Sequence, residues 1–98
     1  MEGIETGRQA ARMLVEQITE QCLFEEIDKW EKDVTEGLES LKTLGLIESF
    51  VVNGFTADVD GKRNANVIFK PIETPMFITL EVEVERKGVT FVDEVEVL

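Results

Sequence analysis

The residue types that support catalysis or metal binding are few in this chain, and their spacing fits no known active site. Its 98 residues include no histidine and no tyrosine, so the commonest general base and metal ligand is missing. Cys22 lies on an apolar stripe, which predicts a buried small side chain rather than a nucleophile. Asp58, Asp60 and Asn64 surround Gly61, but their spacing is not that of an EF-hand. We therefore predict a hairpin loop here, and expect no enzyme activity, metal, cofactor or small-molecule substrate.

The clearest cluster of like charges is a row of glutamates at alternate positions, Glu81, Glu83 and Glu85. In a strand, alternate side chains point to the same face, so the three carboxylates would lie together. In most proteins such a row simply faces solvent. Because like charges at this spacing repel each other, the row is also a candidate surface for a basic protein partner.

The overall charge narrows the range of partners. The chain has 21 acidic and 10 basic residues, a net charge of -11, which argues against nucleic acid and anionic membrane surfaces as ligands. No apolar stretch reaches the roughly 18–20 residues of a membrane span, and the N-terminal residues lack a signal-peptide core. The length favours a single domain over residues 1–98, and a single cysteine excludes an internal disulfide. A soluble protein made inside the cell is the expectation.

Two amphipathic helices are predicted in the N-terminal part of the chain, residues 5–44. The first runs from about Glu5 to Gln21, with Thr6 as its N-cap. The second runs from Asp28 to Leu44, with Asp28 as N-cap and Glu31 completing a capping box. Gly45 is expected to end it in a left-handed conformation. Phe24, at the bend before this helix, is expected in the core. Apolar residues at helical spacing predict a buried stripe along the helix: Trp30, Val34, Leu38, Leu41 and Leu44.

Residues 46–85 predict a sheet. Leu46–Asn53 is an apolar first strand, and residues 55–66 form a polar loop with Asp60-Gly61 at its tip. Residues 67–85 hold two more strands separated by Pro71 and Pro75. Short links favour antiparallel neighbours. The predicted class is α+β, with two N-terminal helices packed on one face of a three- to four-stranded, mainly antiparallel sheet. In the last of these strands one face is apolar and would be buried: Ile78, Leu80, Val82 and Val84.

The C-terminal segment 88–98 is also typical of a strand, because Val95 and Val97 alternate with acidic residues. Two arrangements are open for it. It folds back as a fourth antiparallel strand, or it adds to the sheet of a neighbouring molecule.

The order of these features resembles the C-terminal domain of contractile phage tail sheath proteins, a family that includes the sheaths of R-type pyocins and is similar to those of type VI secretion systems. The resemblance covers about residues 8–85, and Met76 departs from the usual pattern. The short sheath-initiator proteins of baseplates are similar in fold, so the chain resembles those as well. The residues that carry the resemblance are Phe24-Glu25, Trp30, Leu38-Leu41-Leu44-Gly45, Pro71-Ile72-Glu73-Thr74-Pro75 and Phe77-Ile78.

This resemblance implies a structural, non-catalytic virion protein that is assembled into a tail in the host cytoplasm. Its partners would be other copies of itself or other tail and baseplate subunits, joined by strand exchange. The alternative function is a small acidic module that binds a basic protein. On the first hypothesis an edge strand 78–84 and the arm 89–97 form the assembly interface, through Ile78, Leu80, Val82, Val84, Val89, Phe91, Val95 and Val97.

Overall fold

The computed structural model describes residues 6–22, 24, 26–86, 88 and 90–97. Two helices are followed by four strands, which confirms the predicted α+β class. Within the described residues no helix is long and apolar enough to cross a membrane. The elements are α1 (Gly7–Glu20), α2 (Ile27–Thr43), β1 (Ile47–Asn53), β2 (Lys62–Pro71), β3 (Phe77–Glu85) and β4 (Thr90–Val97).

Helix α1 begins at the predicted cap, Thr6, whose hydroxyl accepts a hydrogen bond from the Gln9 amide at 3.1 Å. The carboxylate of Glu73 also accepts from the Gly7 and Arg8 amides, at 3.1 and 3.2 Å. A carboxylate at this end is favourable, because the first amides of a helix carry a partial positive charge. Glu73 lies in the turn after β2, so this contact fixes the start of α1 against the sheet.

Helix α2 begins one residue earlier than predicted, and Asp28 is not its N-cap. Glu26 occupies that position without a capping side-chain hydrogen bond, and Asp28 lies in the first turn. There its charge still favours the helix dipole. The C-terminal prediction is confirmed: Gly45 has a φ of 80°. The Gly45 amide donates to Lys42 O and the Leu46 amide to Leu41 O, both at 3.0 Å, which is a Schellman motif.

The sheet has the order β1-β2-β3-β4, and every neighbouring pair is antiparallel. Strand β2 begins at Lys62, five residues before the predicted start, so the predicted loop 55–66 is too long. A tight turn at Asp60 and Gly61, with φ values of 54° and 77°, brings the chain back at once. Residues 62–66 are mostly polar, which hid the strand, but they pair with residues 81–85 of β3.

The core lies between the two helices and one face of the sheet. Residues Ile78, Leu80, Val82 and Val84 of β3 are at most 2% exposed, as their alternation predicts. Trp30 is buried beside them, and its indole Nε1 donates to Thr19 Oγ1 at 3.0 Å. The remaining fully or nearly fully buried apolar side chains come from both helices and from β1 and β2: Ala10, Ala11, Val15, Val34, Leu38, Ile47, Ala65, Val67 and Phe69. Leu44, which the helical stripe predicts to be buried, is 72% exposed, because it follows the last residue of α2 and no longer shares the packed face of the helix.

Strand β4 completes the sheet by pairing with β3 of the same chain, from Phe77↔Val97 to Val84↔Thr90. Of the two arrangements open for the C-terminal segment, the structure has the folded-back one. Strand β3 consequently has a neighbour on each side. The expectation that residues 78–84 form an edge strand is therefore wrong; the edges are β1 and β4.

Candidate interaction surface

The face of the sheet that points away from the helices, here called the outer face, is the candidate site. Its composition follows from the strand register, because side chains of directly paired residues lie on the same face. Val51 pairs with Ile68, Ile68 with Thr79, and Thr79 with Val95. These four residues, here called the apolar row, cross all four strands in a line.

The apolar row is open to solvent. Val51 is 54% exposed and Val95 is 44% exposed, while Ile68 and Thr79 between them are half-buried. Phe77 lies on the same face, two residues before Thr79 on β3, and is 45% exposed. Single exposed apolar side chains are ordinary, but a continuous exposed patch typically marks an interaction site.

A polar band lies directly beside the apolar row. Its first line is Asn53, Asn66, Glu81 and Asp93, again joined by strand register. The side-chain Nδ2 of Asn53 donates to Asn66 Oδ1 at 2.6 Å, so that end of the line is uncharged and joined by a hydrogen bond. At the other end the carboxylates of Glu81 and Asp93 face each other across β3 and β4. Like charges in that position destabilise a strand pair.

The predicted glutamate row extends this polar band. Glu83 and Glu85 follow Glu81 along the outer face of β3 and are half-buried, while Glu81 is exposed. Together with Asp93, these three glutamates are here called the acidic band. None of the ion pairs found among the described residues involves these four carboxylates. The sequence placed three of the four correctly on one face.

Strand β4 is attached to the rest of the fold by a pair of ion pairs as well as by its ladder with β3. Glu94 points to the helix side, and its side chain is only 9% exposed. It accepts from Arg8 Nε at 2.6 Å and from Arg12 Nη1 at 3.2 Å, both on α1. This cluster of Glu94, Arg8 and Arg12, here called the β4 clamp, ties the C-terminal edge strand to the first helix.

In this arrangement some of the residues predicted for the assembly interface are buried and others are accessible. Ile78, Leu80, Val82 and Val84 lie in the core under the helices and are not accessible to a partner in this conformation. Val95 lies on the outer face. The backbones of Phe91 and Val97 pair with β3, whereas Val89 and the side chains of Phe91 and Val97 lie outside the described residues.

The loop that resembled a calcium site is held together by its own contacts. Asp58 Oδ1 accepts from the Gly61 amide at 2.8 Å, and Asp58 also pairs with Arg86. Arg63 and Arg86 both lie over the Phe24 ring, 4.9 and 5.2 Å from its centroid. Asp58 is thus occupied by a turn and a guanidinium. Within the described residues no group of three or more potential ligands has the geometry of a metal site.

Cys22 is half-buried and packs against the edge of the core, between the two helices. Burial raises the pKa of its thiol above the ordinary value, and the carboxylate of Glu26 adds to the increase. A raised pKa disfavours the thiolate, which is the nucleophilic form. The surroundings of Cys22 are therefore those of a structural thiol.

Sequence reasoning missed the apolar row and Glu94. Val51 and Ile68 belong to apolar runs, IESFVV and VIFKP, in which the outward and inward residues are both hydrophobic. No alternation distinguishes them, so only the register assigns them to the outer face. Glu94 looked like one more acidic residue of the tail; its contacts with α1 depend on β4 folding back. The available signal was the pair of bases one turn apart, Arg8 and Arg12.

The fold and the surface together define a small α+β protein with an open, partly apolar and acidic sheet face. No protein-family model, curated protein or solved structure matches the chain.

Proposed function

We propose that the chain is a structural subunit of a contractile phage tail or tail-like particle and that it joins neighbouring subunits by exchanging strand β4. In this proposal it acts in the virion tail, has no catalytic role, and has copies of itself or other tail and baseplate subunits as partners. The observation that carries the proposal is the position of β4. It is an edge of the sheet, and among the described residues β3 is its one neighbouring strand.

Exchange conserves most of the contacts of β4. A neighbour's β4 would restore the ladder with β3 and would place its own Glu94 between Arg8 and Arg12. Because the same bonds are made within or between molecules, exchange is a low-cost route to association. The difference in free energy is then set mainly by concentration, and by repulsion between chains of net charge -11.

A disulfide that locks β4 in place tests this mechanism. Thr79 and Val95 are directly paired on the outer face, and the Cα atoms of such pairs lie about 4.5–5.5 Å apart, within the range that a disulfide spans. We expect the variant Cys22→Ala/Thr79→Cys/Val95→Cys to associate in the reduced form at high salt, where repulsion is screened. The oxidised form should remain monomeric by light scattering.

The reduced form serves as the matched control, because it carries the same substitutions. Strand exchange is excluded if the oxidised and reduced forms associate to the same extent, or if neither associates at any concentration and salt. The tail class is tested separately by the gene's neighbourhood: tube and baseplate genes beside it are expected.

A second candidate function is a small acidic module that binds a basic protein. The acidic band, Glu81, Glu83, Glu85 and Asp93, favours it because the four carboxylates lie together on one open face. Lys62 is paired with Glu85 in the strand register, but among the described side chains no ion pair joins a base to the band. Complementary charge steers association and selects partners more than it adds affinity. Binding of a lysine-rich peptide that weakens with salt and with Glu81→Gln/Asp93→Asn would support this function. Equal binding by wild type and variant would exclude the band as the site.

A further inference from the structure

We infer that the outer face binds an amphipathic helix of a partner protein, one whose apolar stripe is flanked on one side by lysine or arginine. This inference deepens the second candidate function and rests on it. It adds that the partner is helical and that the apolar row forms part of the contact. It does not depend on strand exchange.

The apolar row defines the length of the contact. Neighbouring strands lie about 4.7–4.9 Å apart, so four strands give a row about 14–15 Å long. A helix rises 1.5 Å per residue, so about ten residues, or nearly three turns, cover that length. Side chains spaced three and four residues apart would then contact Val51, Ile68, Thr79 and Val95 in turn. Phe77 widens the row on one side.

The acidic band defines the charge of the partner helix and the flank of that helix on which its basic residues lie. It lies on the other side of the row from Phe77, because Glu81 and Phe77 are two residues from Thr79 in opposite directions along β3. A side chain two residues along a strand is about 7 Å away, which lysine and arginine reach from a helix above the row. The bases are therefore expected on one flank only. Glu81 and Asp93 also place them near the β3–β4 end of the row.

The paired backbone of the sheet favours a partner whose own backbone hydrogen bonds are already formed within the partner. The backbone amides and carbonyls of the sheet are paired between the strands, so they offer no hydrogen bonds to a chain lying on the face. An extended segment placed there would bury unpaired backbone groups, whereas a helix brings its bonds with it. An antiparallel sheet commonly carries helices on one face and leaves the other open. Here the described helices cover one face only, so the outer face has room for a helix.

Charge complementarity selects this partner over a second copy of the chain. Two copies meeting through their outer faces would bring together two molecules of net charge -11, each with four carboxylates on that face. That repulsion opposes close approach. A basic helix removes it and also relieves the opposition of Glu81 and Asp93.

The probe is a synthetic helical peptide of about 14 residues, with leucines at spacings of three and four and lysines along one flank, titrated into the ¹⁵N-labelled full chain. We expect the amide signals of the apolar row and the acidic band to shift, and those of α2 to stay in place. Val51→Ser/Val95→Ser should weaken binding about tenfold or more. Glu81→Gln/Asp93→Asn should weaken it about threefold to tenfold, with a smaller salt dependence.

Matched variants elsewhere separate specific from general effects. Leu44→Ser removes an exposed apolar side chain away from the outer face, just after α2, and Glu39→Gln removes an exposed acid from α2; neither should change the affinity. Thermal melts of each variant establish that it is folded. A peptide in which the lysines are replaced by glutamate should not bind.

Each remaining outcome overturns the inference in a distinct way. If a lysine peptide without leucines binds equally well and Val51→Ser/Val95→Ser has no effect, the acidic module stands and the helix-binding row does not. If neither peptide binds, the inference and the second candidate function both fail. If the full chain forms dimers that Val51→Ser/Val95→Ser dissociates, a second copy occupies the face instead.

Discussion

At the scale of single residues, the hydrogen bond from Trp30 to Thr19 explains why a polar side chain lies in the core. Thr19 is fully buried, and its hydroxyl both accepts from Trp30 Nε1 at 3.0 Å and donates to Val15 O at 2.6 Å. This double role explains why a threonine is buried in the last turn of α1. It lets a tryptophan be buried without leaving its N–H unsatisfied.

Removing that hydroxyl should be costly. We expect Thr19→Val, which keeps the shape, to lower the free energy of unfolding by about 1–3 kcal/mol, because it leaves a buried donor without a partner. Urea unfolding followed by circular dichroism gives the value. In Thr19→Val/Trp30→Phe both partners are absent, and the double-mutant cycle should show a coupling of about 1 kcal/mol. Additive effects of the two substitutions would mean that the hydrogen bond does not contribute.

The thiol of Cys22 gives a prediction that depends on pH. Burial is the larger cause of its raised pKa, and Glu26 the smaller. The midpoint of its alkylation by iodoacetamide should therefore lie above the ordinary thiol value of about 8.5, and Glu26→Gln should lower it only in part. Because the folded state disfavours the thiolate, stability should also fall as the pH rises beyond that ordinary value. A midpoint at or below the value measured in urea would contradict the burial of this thiol.

At the scale of secondary-structure elements, the β4 clamp decides how firmly the last strand is held. Glu94 is nearly buried between two arginines of α1, so Glu94→Gln should cost about 1–2 kcal/mol and speed amide exchange in β4 more than in β1. The surface pair of Lys70 and Glu48 is the control. Lys70→Met should cost less than about 0.5 kcal/mol. Equal exchange rates in β4 of wild type and Glu94→Gln would show that the ladder alone holds the strand.

The sequence predicted those elements in which local chemistry and the final fold agree. Thr6 and Gly45 mark helix ends through their own side-chain or backbone preference, and both predictions are confirmed. The alternation of residues 78–84 gave the buried face of β3. The predictions were wrong where a tertiary contact outweighed the local preference of the residues. The capping motif at Asp28 is unused, and the polar residues 62–66 form a strand because β3 pairs with them.

The outer face was predictable only in its charged half, for a related reason. Glu81, Glu83 and Glu85 alternate with apolar residues on one strand, so their common face can be deduced from the sequence alone. The apolar row takes one residue from each of four strands. It exists only in one register, and a shift of one residue would move every member to the opposite face. A surface made of single residues from several strands cannot be predicted from the sequence without the strand order and register.

At the scale of the whole molecule, the distribution of charge lowers the folding stability of the isolated chain and favours binding of a basic partner. The acidic band places Glu81 opposite Asp93, which costs the isolated chain free energy. Local arrangements that cost stability are commonly found at functional sites, where the compensation comes from a ligand. The net charge of -11 adds a diffuse repulsion that salt screens.

Reversing one charge should therefore stabilise the chain and weaken its binding at the same time. Asp93→Lys replaces a like-charge pair with an opposite-charge pair, and we expect a gain of about 0.5–1 kcal/mol in unfolding free energy at low salt, declining as salt is added. The control is Glu39→Lys on the exposed side of α2, which changes the net charge equally but has no paired strand residue. The affinity for the leucine–lysine helical peptide should fall in Asp93→Lys and change far less in Glu39→Lys. If both variants gain the same stability and lose the same affinity, only net charge matters, and the acidic band is not a site.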